Sequence, residues 1–242
     1  INFSGGNDKG TYYAGLGYNK SEGIPVTSFY ERYSFVFNGS YQINKWLKST
    51  SNFNYNRANW DSMPGSQGSE ANYFGRILSV PNTARYQDEE GNPLLGPGTG
   101  DGNQTFQADR WWEDNQSDKF TMIQKFDFNI MKGLKLTTTA NWYYSEAVQE
   151  WFTRDYQTNQ AGTSWSRGRS SAASFSRKFA QTYNLVANYN FNIGDHAFEA
   201  MLGTEVYDRQ YKYLYAAGSG APTDDFADLG LTDSGAGKRG VD

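Results

Sequence analysis

The sequence predicts an all-β chain, an antiparallel transmembrane β-barrel segment of about eight strands, and three observations carry that reading. Apolar and polar residues alternate with period two along most segments that show any pattern. The apolar partners are largely aromatic, while their neighbours are Asn, Ser, Thr and Lys, as expected of strands held between lipid and water. The connections between these segments are alternately very short and very long, an asymmetry typical of barrels with short periplasmic turns and long extracellular loops.

The pattern is sharpest between Phe29 and Tyr55. Phe29, Tyr33, Phe35, Phe37, Tyr41 and Ile43 share one parity, with Arg32, Ser34, Asn38, Ser40 and Gln42 on the other. A tight turn at Asn44 and Lys45 reverses the chain, and Leu47, Phe53 and Tyr55 then alternate with Lys48, Thr50, Asn52, Asn54 and Asn56. Asn38-Gly39 is elsewhere a hairpin signal, yet the alternation runs through it, which places it inside a strand.

Ahead of this hairpin, Ile1 to Gly6 forms a half strand and Asn7 to Gly10 a turn. Thr11 to Asn19 then runs back with Tyr12, Ala14, Leu16 and Tyr18 in phase. Beyond it, the alternation dissolves into Pro, Gly, Ser and Asp, and a long loop is expected over about 59–117. Pairing resumes with Phe120, Met122, Phe126, Phe128 and Ile130, turns at Met131 to Gly133, and returns through Leu134, Leu136, Ala140, Trp142 and Tyr144. A second long loop is expected over about 152–176. A last hairpin carries Tyr183, Leu185, Ala187, Tyr189, Phe191 and Ile193, a Gly194-Asp195 turn, and Phe198, Ala200, Leu202 and Val206. The tail, about 216–242, reads as a third loop.

Charge supports the phase. Lys or Arg facing mid-bilayer lipid costs roughly 2 to 4 kcal/mol, and Lys48, Lys125, Asp127, Lys135, Glu199 and Glu205 all fall on the polar parity. Glu31 and Asp208 are exceptions toward the loop ends of their strands, and Val186 and Ile123 are apolar on the wet phase.

Composition agrees. A hydrophobic fraction of 37% leaves no run near the roughly 18 to 20 apolar residues of a spanning helix, a test that a barrel strand escapes because only alternate residues meet lipid. The 18 Tyr, 16 Phe and 7 Trp suit interface girdles. The absence of Cys removes disulfides and thiolate metal sites, and a net charge of -4 offers nucleic acid no general attraction. No cofactor is implied.

A family resemblance enters at Gly5-Gly6, Tyr12-Tyr13-Ala14-Gly15-Leu16-Gly17-Tyr18, Glu22-Gly23-Ile24, Arg32-Tyr33-Ser34-Phe35 and Lys45-Trp46-Leu47-Lys48. These stretches resemble the barrel of SusC/RagA-type TonB-linked outer-membrane transporters, as do Ser117-Asp118-Lys119-Phe120 and Lys132-Gly133-Leu134-Lys135-Leu136. The resemblance implies a barrel of about 22 strands around an N-terminal plug, of which residues 1–242 would be about a third, with the plug and the TonB-contacting segment absent. It also implies nutrient import in the outer membrane of a Gram-negative bacterium, with no enzymatic activity. The expected substrate is an oligosaccharide or peptide. A SusD-like surface lipoprotein is the expected lid, with TonB-ExbB-ExbD as energy source and outer-membrane lipids around the wall. Two other readings stay open: a small structural or adhesive outer-membrane barrel, and a secreted sugar-binding β-sandwich.

For ligand or partner binding the candidates are Arg110, Trp111, Trp112, Trp60 and Trp165, because exposed indoles stack on sugar rings and flanking charges bond hydroxyls; anchoring of a loop is the plainer alternative. Replacing Trp111 and Trp112 together is expected to spare assembly, since both fall in a loop. Asp88 to Pro93 and Asp101 to Asn103 offer oxygen ligands without the order of a calcium loop, and no metal site is assigned. His196, the single histidine, has no nucleophile proposed beside it, so no catalytic residue is assigned. Arg167, Arg169, Arg177 and Lys178 read as a basic loop, suited to lipopolysaccharide phosphates or an acidic partner.

Overall fold

The computed structural model describes residues 1–24, 28–61, 110–157 and 163–241, together with 83, 85, 87–92 and 94 of the longest connection. Its strands are β1 (Asn2–Asn7), β2 (Gly10–Glu22), β3 (Phe29–Asn44), β4 (Leu47–Asp61), β5 (Trp111–Met131), β6 (Leu134–Thr153), β7 (Tyr156–Gln157), β8 (Trp165–Ser166), β9 (Ser170–Ile193), β10 (His196–Ser219) and β11 (Asp233–Val241). Nine of them form one antiparallel sheet in the order β1-β2-β3-β4-β5-β6-β9-β10-β11, while β7 and β8 pair by themselves. β1 and β11 are the two edges.

Four hairpins close through two residues each, at 8–9, 45–46, 132–133 and 194–195. Asn side chains build two of these turns: Asn7 Oδ1 accepts from the N–H groups of Lys9 and Gly10, and Asn44 Oδ1 from that of Trp46. Gly133 is required twice over. Its φ of 82° is left-handed, and a Cβ there would strike the backbone carbonyl of Asn190, whose N–H is itself bonded to the Gly133 carbonyl.

The strands reach further than the alternation suggests. β4 runs to Asp61 and β5 begins at Trp111, β6 continues to Thr153 and β9 starts at Ser170, and the tail supplies β11. All three expected loops, 59–117, 152–176 and 216–242, are therefore shorter than their expected bounds.

Register assembles the in-phase residues on one face. Leu16, Phe35, Tyr55, Phe120, Tyr144 and Phe179 stand side by side in six neighbouring strands. Phe35, Phe53, Phe120 and Tyr144 form a run of ring contacts with centroids 5.3–6.3 Å apart. Little protein covers this face: Leu202 is 77% exposed and Val206 61%. Gly39 lies within β3, with the Phe37 ring laid over it, as the uninterrupted alternation requires. On the opposite, polar face Val186 packs its methyl over Gly203 of β10.

The apolar band crosses the sheet obliquely. Its upper margin lies at Tyr18 in β2 and at Val206 in β10, yet the lateral partner of Tyr18, six strand steps away, is Lys212. The margin thus drops six residues over six steps. With ~3.3 Å per residue and ~4.8 Å between strands, a level band demands a strand tilt of ~35°, inside the range of outer-membrane barrels. Along β6 the band spans Leu134 to Tyr144, which at that tilt stands ~27 Å tall, close to the ~25 Å of a barrel's lipid zone.

Polar groups mark the upper margin. Glu31 accepts from Tyr18 and Tyr33 hydroxyls at 2.8 and 2.9 Å, which explains how it is tolerated on the apolar parity. The Tyr55 hydroxyl donates to Asp118 at 2.5 Å and that of Tyr144 to Glu146 at 2.6 Å. Asp208, the other exception, accepts from Gln181 at the margin in β10. Aromatic bodies below with acids above are the arrangement of an interface girdle.

Candidate functional site

Above the girdle, at the end of the sheet carrying the long connections, the polar face becomes aromatic. Register places Tyr30, Trp60, Asn115, Gln149, Ser174 and Tyr215 in one row across six strands, aromatic rings at its two ends and amides and a hydroxyl between them. One row higher, Glu113 lies opposite Trp151, and the next position along β5 on this face is Trp111. Trp111 and Trp151 are diagonal neighbours, within reach of one another's side chains.

Asn115 fixes the middle of the row. It is 2% exposed and its Nδ2 donates to Glu113 at 3.0 Å, while its Oδ1 has no hydrogen-bond partner among the described residues. A buried acceptor left open in this way costs about 1–3 kcal/mol and is satisfied by water or ligand. The face combines flat apolar rings with amide, hydroxyl and carboxylate groups, which suits stacking and hydrogen bonding to a polar, partly flat ligand.

Trp60 and Trp111 share this face. Trp112, adjacent to Trp111 in an extended strand, points the other way, opposite Phe152, where it lines a cavity of about 570 Å³ with Phe152, Arg154 and Phe226. The Trp pair therefore belongs to β5, not to a loop, and is split between the faces. Arg110 is 8% exposed, its guanidinium 3.4 Å from the Tyr156 ring centroid and 4.6 Å from that of Trp111, and its carbonyl accepts from Arg154. It anchors the rim. Trp165 sits apart in β8, 46% exposed, with Arg167 5.7 Å above its ring.

The basic loop dissolves in the structure. Arg177 and Lys178 are consecutive in β9 and so project from opposite faces. Arg169 is held at 3.2 Å by Asp155 and at 2.8 Å by Asp224, pinning the segment after β10 over Phe152, which is 1% exposed; Ser171 also donates to the Ala227 carbonyl. The guanidinium of Arg169 holds the Asp224 carboxyl below its usual range. Asp88 is engaged in its own turn, accepting from Glu90 N–H, Asn92 N–H and Asn92 Nδ2; Asp101 to Asn103 lie outside the described residues. At the top of β4, burial, then the neighbouring Glu113 and Asp114 carboxylates, push the Asp61 carboxyl up to about 6.

Sequence reasoning passed over Tyr30, Asn115, Gln149, Trp151 and Tyr215. Continuing the odd parity of β6 past Tyr143 would have reached Trp151; the lateral row has no local signal.

No protein-family model matches the chain, and no curated protein matches it. Solved structures do. The RagAB peptide transporter aligns over 100% of this chain and 28% of its own, at 20% identity and a TM-score of 0.81. The chain has the fold of one stretch of that transporter. The RagAB peptide importer in its "open-open" state aligns equally fully, over 27% of its chain, at 21% identity and TM-score 0.80, and the "closed-closed" state gives 0.81 at 20% identity. An antiparallel barrel wall of the RagAB type, part of a larger barrel, is thus the fold that the alternation and the RagA-like motifs of the sequence anticipate.

Proposed function

We propose that this chain is part of the wall of a SusC-like, TonB-linked importer in the outer membrane, its aromatic face toward lipid and its polar face toward the transport path. The observation that carries the reading is the oblique band: an apolar, aromatic-edged belt ~27 Å tall whose slope matches tilted barrel strands. The likeness to the RagAB peptide importer over the whole chain supports it. In this reading the four two-residue turns face the periplasm, and the row from Tyr30 to Tyr215 lines the outer mouth, where an oligosaccharide or peptide is first met. A SusD-like lipoprotein closes over that mouth. TonB-ExbB-ExbD supplies energy through parts of the protein beyond this stretch.

The alternatives find less support. A β-sandwich needs a second sheet on the apolar face, and among the described residues none covers it. A small closed barrel needs β1 against β11, which occupy opposite edges.

Disruption of the gene should abolish uptake of one nutrient class, oligosaccharide or peptide, that depends on the proton-motive force, with the outer-membrane barrier intact. Unchanged energised uptake of both classes in the disrupted strain would sink the proposal.

A further inference from the structure

Charge is divided along the polar face. In its lower half the cations are balanced by acids in number: Asp127 holds Lys135 at 2.9 Å and Lys125 at 3.4 Å, Lys48 stands opposite it in the ladder without an ion pair among the described residues, and Glu199 and Glu205 are carried by β10. Higher on the same face stand Arg32, Lys119, Lys178 and Arg209. None of these four pairs with a carboxylate among the described residues, and Lys178 instead lies 5.2 Å from the Tyr143 ring. Between the rows of Glu113 and Glu205 no acidic residue faces this side of the described strands. At the same height on the other face acids stand among the cations, since Arg57 is met by Asp118 at 3.9 Å and by Gln116, and Glu146 stands opposite Arg177.

Register makes the four cations one zone. Lys119, Ser145 and Lys178 are consecutive partners across β5, β6 and β9, which puts the two lysines ~10 Å apart at the backbone with a small hydroxyl between them. Arg209 is one strand and two residues from Lys178, and Arg32 lies in the row above Lys119. The zone sits directly below the row of Tyr30, Trp60 and Asn115, on the route from that mouth toward the lower half. Four uncompensated cations repel one another, a cost relieved when an anion arrives among them.

We infer that this zone binds a carboxylate-bearing oligomer, with Lys119 and Lys178 gripping carboxylates across Ser145 while the aromatic row above stacks on the rest of the ligand. The inference rests on the reading of the polar face as a transport path and specifies what that path selects. Carboxylates occur in acidic peptides and in uronate oligosaccharides, and the experiment separates the two.

The test uses the full-length protein in outer-membrane vesicles with a single thiol at Ser145→Cys, and Thr121→Cys as a second reporter should the first assemble poorly. Its rates with anionic sulfonatoethyl and cationic trimethylammonioethyl methanethiosulfonate are compared with those at Thr139→Cys in the charge-balanced half. The anionic-to-cationic ratio should be about fivefold higher at residue 145, from two screened lysine charges at side-chain distance, and should fall to parity in Lys119→Gln/Lys178→Gln. Parity without those substitutions would mean that another part of the protein neutralises the lysines, and would overturn the inference. Protection of the thiol is then measured with oligoglutamate against oligoglutamine, and with oligogalacturonate against its methyl ester. Protection by an acid and not by its neutral twin supports the inference and names the source. No protection by either acid, or equal protection by the neutral twins, overturns it. Energised uptake is read separately, so binding without import would fault the transport reading alone.

Discussion

Phe126→Lys is the sharpest test of which face meets lipid. Phe126 lies in β5 six residues below Phe120 and four above Ile130, the limits of the apolar band in that strand. At ~3.3 Å per residue and a tilt of ~35°, its Cα is ~16 Å from the upper margin and ~11 Å from the lower, near mid-bilayer. There a lysine costs ~2–4 kcal/mol, and loss of the ring contact with Phe128 at 6.3 Å adds about 0.5–1.5 kcal/mol. The expected destabilisation is therefore about 3–5 kcal/mol. Asn141→Lys, on the polar face opposite Ile123 and Thr182, should cost only about 1 kcal/mol, because that face is turned from lipid and the amide oxygen it replaces is already buried without a hydrogen-bond partner among the described residues. Guanidinium unfolding of the full-length barrel in lipid vesicles, followed by loss of the heat-modifiable band, measures both. Equal costs would refute the assignment of faces, and a larger cost for Asn141→Lys would reverse it.

Trp111→Ala and Trp112→Ala should now differ. The first should weaken ligand or lid binding by at least ~1 kcal/mol with assembly intact, and the second should loosen the rim against Phe152, read as faster proteolysis after β10 with binding unchanged. Arg169→Met removes the partner of both Asp155 and Asp224 and should release residues 220–232 to protease several-fold faster, with β9 and β10 still protected. Because Arg169 lowers the Asp224 carboxyl, its contribution is present above the ordinary carboxylate range and is lost as pH falls through the folded value, so acid should mimic the substitution. Asp61 has the opposite sign. Its folded value is raised to about 6, so its contribution is present below the ordinary carboxylate range and is lost as pH rises through 6. Hydrogen exchange at the tops of β4 and β5, corrected for intrinsic rates, should be slower at pH 5 than at pH 7, and Asp61→Asn should remove the difference.

Within the lipid band the sequence by itself determined the fold. Successive side chains of a strand point to opposite faces, so two solvents impose a period of two that Phe126, Asp127 and Phe128 display without reference to any partner strand. The turns were equally local, since Asn7 and Asn44 cap their own hairpins and Gly133 supplies a left-handed φ. Above the band that information ends. Neither face of Trp111–Ser117 and Ser170–Ser176 lies within the band, so no regular alternation is imposed and real strands look like loops. Tertiary structure alone decided that Trp111 and Trp112 part company, that Arg169 is paired, and that Arg110 is an anchor. It alone joined Trp60 to Asn115 and Lys119 to Lys178 through Ser145. These neighbours are set by the register of strands far apart in the chain, and register is a property of paired backbones that no single strand's sequence contains.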